Sequence, residues 1–206
     1  MRVLLVHGLG RTPLSLAWLR RDLARAGHAP VLTGYLAALE PWAAIRSRVR
    51  RRLEQAARTG QPYAAVGHSL GGLLLRSALA DWPGDLPPPR HVVMLGTPNH
   101  PPRLAARCRS LWAYGLLSGE CGRLLAHPAF YETLPLPSVP CTVVAGTRGW
   151  RGRWSPFGDD ANDGLVAVCE AELGSHSAAI QLPVGHTFMT VNRRVRTLVC
   201  EVLAAA

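Results

Sequence analysis

The sequence predicts an α/β protein: a mostly parallel sheet of about six strands, helices on both faces, and one small inserted segment. Aliphatic runs alternate with stretches of helical periodicity along the whole chain. Residues 3–6 and 64–66 are apolar at every position, the pattern of strands buried on both faces. Residues 63–72 then read as strand, tight turn and helix around Gly67-His68-Ser69-Leu70-Gly71, a G-x-S-x-G turn with both flanks in place.

Taken in order, residues 3–6 form the first strand, which ends in His7-Gly8-Leu9-Gly10. Thr12-Pro13 reads as an N-cap followed by proline at the first helical position. Leu16, Leu19, Leu23 and Ala26 recur at helical spacing until Gly27 stops the helix. Residues 29–33 are a short second strand. Trp42, Ile45, Val49, Leu53 and Ala56 form the apolar stripe of a second helix, which ends at Gly60. Residues 63–66 are the third strand, and the helix after Ser69 runs to Trp82, where Pro83 ends it. The proline-rich stretch 84–90 is a loop. Residues 91–95, 139–145 and 178–182 supply the remaining strands, and Val191, Val195, Leu198 and Val202 mark a C-terminal helix. Between Pro98 and Val139 no strand is legible. Long excursions from the carboxyl ends of strands in such sheets are usually functional. Residues 99–138 are therefore read as a partly helical cap within a single domain, 1–206.

A chain of 206 residues suits one domain with a real core. Its hydrophobic fraction of 48% excludes a disordered chain, and no apolar run approaches the roughly 20 residues of a membrane-spanning helix. The opening apolar run is too short for the core of a secretory leader, so the chain is read as cytoplasmic. Cys108, Cys121, Cys141, Cys169 and Cys200 are scattered, odd in number and without metal-ligand spacing, which argues against a disulfide framework. The formal net charge is +10, and all 23 basic residues are arginine. The densest cluster is Arg46, Arg48, Arg50, Arg51 and Arg52. It suits either transient contact with an anionic membrane or a solvated helix face, and the second is the plainer expectation. Nucleic-acid binding would rest on charge alone, with no recognition motif behind it, and is not expected.

The chemistry centres on Ser69. Gly67 and Gly71 remove side chains where strand and helix cross, so the serine hydroxyl can project from the sheet edge. A serine hydroxyl is a weak nucleophile and needs a base that is itself oriented by an acid. At this kind of turn the acid and then the histidine follow the serine in the chain. The candidates are Asp159, Asp160 and Asp163, then His176 and His186. His186 follows the last strand and precedes the last helix, at the carboxyl edge, whereas His176 precedes that strand and belongs to the opposite edge. Asp163 stands in the turn sequence Asn162-Asp163-Gly164, while Asp159 and Asp160 share a looser loop. A developing oxyanion needs two backbone amides. One is that of Leu70, after the nucleophile; the other is that of Leu9, with Gly10 as second choice. His7 is read as an anchor of its turn, and His68 as directed away from the reacting atoms.

With these motifs in hand, the sequence resembles the α/β-hydrolase family, and within it the small bacterial lipases and esterases. VHGLG at 6–10 is similar to the family's oxyanion loop, and GHSLGG at 67–72 to its nucleophile elbow. LGTPNH at 95–100 resembles a lipase segment after a core strand, NDGLV at 162–166 the acid motif, and VGH at 184–186 the histidine loop. The resemblance covers most of the chain and singles out Asp163 as the acid. It implies a minimal α/β-hydrolase fold, because the chain opens at the strand before the oxyanion loop. Secreted lipases carry leaders and some hold calcium near the histidine loop; the opening of this sequence is read as no leader, and no suitable carboxylate pair is expected there.

The implied function is a serine hydrolase that cleaves carboxylic esters through an acyl-enzyme at Ser69. Asp163 and His186 complete the triad, the Leu9 and Leu70 amides hold the oxyanion, and the substrate is a small-molecule or lipid ester. Acyl transfer or thioester hydrolysis would use the same residues. A non-catalytic partner- or membrane-binding module is the alternative of a different class. The motifs call for no cofactor and no metal, and nothing in the sequence specifies an oligomer.

Overall fold

Successive side chains of a strand point to opposite faces, and both faces are apolar here. The fold is a computed structural model that describes residues 1–108, 112–174 and 178–206. Its strands are β1 (Arg2–Val6), β2 (Ala29–Thr33), β3 (Tyr63–His68), β4 (Val92–Leu95), β5 (Cys141–Gly146) and β6 (Ile180–Leu182). Its helices are α1 (Ala17–Arg25), α2 (Trp42–Ala57), α3 (Leu70–Leu79), α4 (Arg103–Cys108), α5 (Trp112–Leu125), α6 (Pro128–Glu132), α7 (Val168–Ala171) and α8 (Arg193–Ala204). Leu4 and Val6 of β1 join one hydrophobic cluster with α2 and α3, while Val3 and Leu5 join another with α1 and α8. The same alternation sends Val92 and Met94 of β4 to the first cluster and Val93 and Leu95 to the second.

All neighbouring strands are parallel, and the six strands run in the order β2-β1-β3-β4-β5-β6. This is the predicted α/β architecture. The chain leaves β1 towards one edge and later returns past it to β3. The loops after β1 and β3 therefore diverge, and a crevice opens at their carboxyl ends, where open α/β sheets bind ligands. α3 follows β3 directly and every one of its residues is buried, which accounts for a sequence apolar on nearly every side, with Arg76 and Ser77 its exceptions.

Several boundaries differ from the sequence reading. Thr12 makes no side-chain cap; Pro13–Leu16 form a 3-10 turn before α1 begins. α3 stops at Leu79 rather than Trp82, and the Trp82 indole instead donates to Leu86 O at 3.0 Å, tying down the proline loop. β6 is confined to the three residues that pair with β5, so Ala178 and Ala179 lie outside it. α8 starts after Asn192, whose side chain accepts from the Arg194 and Val195 amides; Val191, counted in the helical stripe, lies before the cap. The short α7 was not anticipated.

The excursion between β4 and β5 carries α4, α5 and α6. α5 is broken at Gly119, at φ +61°, where a Cβ would stand 2.6 Å from Ala38 O. Two buried charges tie the region together. The Arg76 guanidinium of α3 donates to the carbonyls of Leu134 (2.6 Å), Pro135 (2.8 Å) and Asn99 (3.0 Å). Glu170 of α7 accepts from Arg103 N at 3.0 Å, Arg103 Nε at 2.9 Å and Ala167 N at 2.9 Å.

The arginine cluster on α2 is less solvated than the sequence suggests. Arg46 reaches Ser77 O and Asp81, each at 3.0 Å, Arg50 reaches Glu54 at 2.9 Å and Asp81 O at 2.8 Å, and Arg48 pairs with Glu40. Arg51 and Arg52 are exposed. The five cysteines are free thiols. No helix among the described residues is long and apolar enough to cross a membrane.

Candidate active site

One residue, Ser69, separates β3 from α3, at φ 53° and ψ −121°. Among the described residues it is the one non-glycine at positive φ, a conformation that costs of order 1–3 kcal/mol. Glycines make the turn feasible. A Cβ at Gly67 would lie 2.4 Å from Gly72 N, and one at Gly71 would lie 2.2 Å from Val6 O. The Ser69 amide donates to Leu95 O at 2.8 Å, which ties the turn to β4. The hydroxyl is thereby held at the carboxyl edge beside the crevice between β1 and β3.

The loop after β5 brings in Asp163. Its Oδ1 accepts from the amides of Leu165 (2.9 Å) and Val166 (2.8 Å), which fixes Oδ2 towards His186 Nδ1 at 2.7 Å. The two residues are also joined through the backbone, His186 N donating to Asp163 O at 2.9 Å. Both are buried. Gly96 leaves room for the pair, since a Cβ there would stand 3.1 Å from both Asp163 Oδ2 and His186 Nδ1. With Nδ1 donating to a carboxylate, the Nε2 lone pair is available as a base. His186 and Ser69 line one cavity of about 540 Å³. Among the described residues no hydrogen bond yet joins the Ser69 hydroxyl to His186, a looseness common before substrate binds.

The remaining cavity wall is mostly apolar. Leu9 comes from the loop after β1, Leu104 and Ala105 from α4, Leu125 from α5, and Leu165 and Val166 from the Asp163 loop. Leu70 opens α3, so its N–H is one of the amides that a helix start leaves without an internal partner. Leu9 and Gly10 line the cavity beside it. Arg11 lies at the same wall and donates to Thr187 O, next to His186. Among the described residues no group of three or more His, Cys, Asp or Glu is arranged to hold a metal ion.

The profile of the alpha/beta hydrolase family matches residues 3–200. The chain belongs to that family. Among solved structures, a mature lipase of Bacillus licheniformis superposes with a TM-score of 0.73 at 20% identity, over 98% of this chain and 91% of that one. A lipase-esterase related protein of Clostridium acetobutylicum gives 0.62 at 14% identity, over 99% and 93%. RedJ, a thioesterase from the prodiginine biosynthetic pathway of Streptomyces coelicolor, gives 0.64 at 17% identity, over 100% and 89%. Sequence comparison with curated proteins returns no match.

Of the predicted residues, Leu9, Ser69 and His186 line the cavity, Asp163 bonds to the His186 ring, and Leu70 follows Ser69 as the first residue of α3. Asp160 is turned elsewhere, to Arg103 at 2.8 Å, and Asp159 is exposed. His176 lies outside the described residues. The reading of His68 needs correction. Its ring packs 5.0 Å from that of His186, and its Nε2 meets His186 O at 3.1 Å. Burial, and then the nearby His186, push the His68 pKa well below its ordinary value, so the ring is neutral and Nε2–H donates. His68 thus holds the backbone of the His186 loop from within the elbow. His7 anchors its turn as expected, through Nδ1 and Gly8 O at 3.0 Å, and stacks on Tyr35 with ring centroids 4.0 Å apart. The Tyr35 hydroxyl donates to His7 O. Sequence reasoning missed Tyr35, Arg76 and Glu170, because their partners lie tens of residues away. A charged residue inside an all-apolar helix was the available signal for Arg76.

Proposed function

We propose that this alpha/beta hydrolase is a serine hydrolase of carboxylic esters. The observation that carries the reading is the 2.7 Å bond from His186 Nδ1 to Asp163 Oδ2, with the other side of the ring facing the cavity that holds Ser69. In the proposed reaction Ser69 Oγ attacks the acyl carbonyl and His186 Nε2 takes its proton. The Leu9 and Leu70 amides hold the tetrahedral oxyanion. Asp163 keeps the ring in the required tautomer and balances the imidazolium that forms. The imidazolium gives its proton to the departing alcohol, and a water activated by His186 releases the acid from the acyl-enzyme. Residues 99–138 act as a cap whose α4 and α5 side chains form one wall of the acyl site; the apolar lining supports this. Thioester hydrolysis is the second reading, favoured by the likeness to a thioesterase, and uses the same groups.

The test is labelling with a fluorophosphonate together with ester turnover. Wild type should label and Ser69→Ala should not, with turnover down by roughly 10⁴–10⁶. An unlabelled wild type, or full esterase activity in Ser69→Ala, refutes the mechanism.

A further inference from the structure

A second cavity of about 570 Å³ lies at the same sheet edge, between the ends of β5 and β6 and the start of α8, lined by Thr147, Arg148, Pro183, Asn192, Arg193 and Arg194. Three of these six residues are arginine and none is acidic. Among the described residues, none of the three guanidiniums makes an ion pair. Their backbones are pinned: the Arg148 amide donates to Val184 O at 3.3 Å, and Asn192 Oδ1 takes the Arg194 amide at 2.9 Å. Arg151 adds a fourth guanidinium nearby, donating to Thr147 O at 3.5 Å. Arg148, Arg193 and Arg194 are exposed, and three cations around one hollow repel each other, which a bound anion relieves. The planar guanidinium fork matches phosphate oxygens best. A hollow of 570 Å³ greatly exceeds the roughly 30 Å³ share of one water, so it suits a phosphate carried on a larger organic group.

The cavity adjoins the proposed catalytic groups. Thr147 follows Gly146, where a Cβ would stand 2.7 Å from Asp163 Cβ and 2.3 Å from Val184 O. Pro183 and His186 are three residues apart, at most about 11 Å between Cα atoms. The loop carrying His186 therefore borders both cavities, Pro183 lining the arginine cavity and His186 the Ser69 cavity. We infer that Arg148, Arg193 and Arg194 bind a phosphate on the leaving-group side of the substrate, so that the preferred substrate is an apolar acyl group esterified to a phosphorylated carrier. The inference rests on the serine-hydrolase reading for its chemistry, but not for the binding of phosphate.

The test uses the full chain and the triple variant Arg148→Gln, Arg193→Gln, Arg194→Gln. Calorimetry at low salt should detect pyrophosphate binding to wild type and to Ser69→Ala, and a loss of at least tenfold in affinity in the triple variant. In kinetics, three decanoyl substrates are compared: the neutral p-nitrophenyl ester, the coenzyme A thioester, and the lysophosphatidic acid in micelles. The kcat/KM of a phosphate-bearing substrate, taken relative to the neutral ester, should fall about tenfold in the triple variant. Most of that fall should be in KM, and it should shrink as salt is raised. Whether the thioester or the lipid shows it tells a soluble carrier from a headgroup. No pyrophosphate binding, or unchanged ratios for both substrates, overturns the phosphate site. Pyrophosphate binding by a protein that turns over none of the three leaves the site standing and refutes the hydrolase reading instead.

Discussion

Replacing Asp163 by asparagine should separate catalysis from stability, because the two carboxylate oxygens do different work. Oδ1 takes two amides, at 2.9 and 2.8 Å, and Oδ2 takes the His186 ring at 2.7 Å. An asparagine must keep its oxygen at the Oδ1 position, since an NH₂ there would face two donors. Its nitrogen then points at His186 Nδ1. That nitrogen must become the acceptor, the ring proton moves to Nε2, and no lone pair remains to receive the Ser69 proton. The expected loss in kcat is about 10⁴, or roughly 5 kcal/mol of transition-state stabilisation. Stability should change by less than about 1 kcal/mol, because every donor keeps a partner. Asp163→Ala differs: the Leu165 and Val166 amides and the His186 ring nitrogen lose their acceptor. At about 1–3 kcal/mol for each unpaired group, the loss should be roughly 3 kcal/mol or more. Ester kinetics, urea unfolding and ¹⁵N shifts of the His186 ring read all three consequences. An asparagine variant that keeps a tenth of the activity, or that loses as much stability as the alanine variant, would refute the orientation argument.

The other predictions concern the turn, the clamp on the excursion and pH. Gly71→Ala should abolish folding or cost more than about 4 kcal/mol, since its Cβ would lie 2.2 Å from Val6 O, whereas Gly84→Ala, with nothing within 4 Å, should be close to neutral in thermal unfolding. Glu170→Ala strips the acceptor from the Arg103 and Ala167 amides; it should cost about 2–4 kcal/mol in urea and flatten the preference among acyl chain lengths, and an unchanged preference would detach α4 from substrate selection. His68, His7 and His91 all have pKa values lowered from 6.5, chiefly by burial. The unfolded chain thus binds more protons just below that pH, so stability should be full above about pH 6.5 and decline as pH falls from there. His68→Gln should shallow that slope, and an identical slope would mean that His68 does not titrate on unfolding.

What could be read from the sequence was what adjacent residues decide. The elbow was legible because the steric demand falls on Gly67 and Gly71, two positions either side of Ser69, and no other residue type satisfies it. The parallel sheet followed from the alternation of strands and helices, but its order did not, since α2 carries the chain from β2 past β1 to β3. The candidate acid was harder. Asn162-Asp163-Gly164 is accounted for by the local turn, in which Asn162 Oδ1 takes the Gly164 amide at 2.9 Å, so the local pattern alone gives no reason for Asp163 rather than Asp160 to face His186. The distinction lies in the 2.7 Å contact across 23 residues. The partner of Glu170 at Arg103 was invisible for the same reason, lying 67 residues away, and Arg76, whose acceptor at Pro135 lies 59 residues off, gave only the hint of a charge within an apolar helix. His68 was misread because the rule for an elbow says where the serine points, not what packs behind it. In a parallel sheet the histidine loop must pass over the elbow to reach the serine, and the neighbour of the serine is then the nearest group able to hold that loop. The 3.1 Å bond from His68 Nε2 to His186 O is therefore a consequence of topology rather than of local sequence.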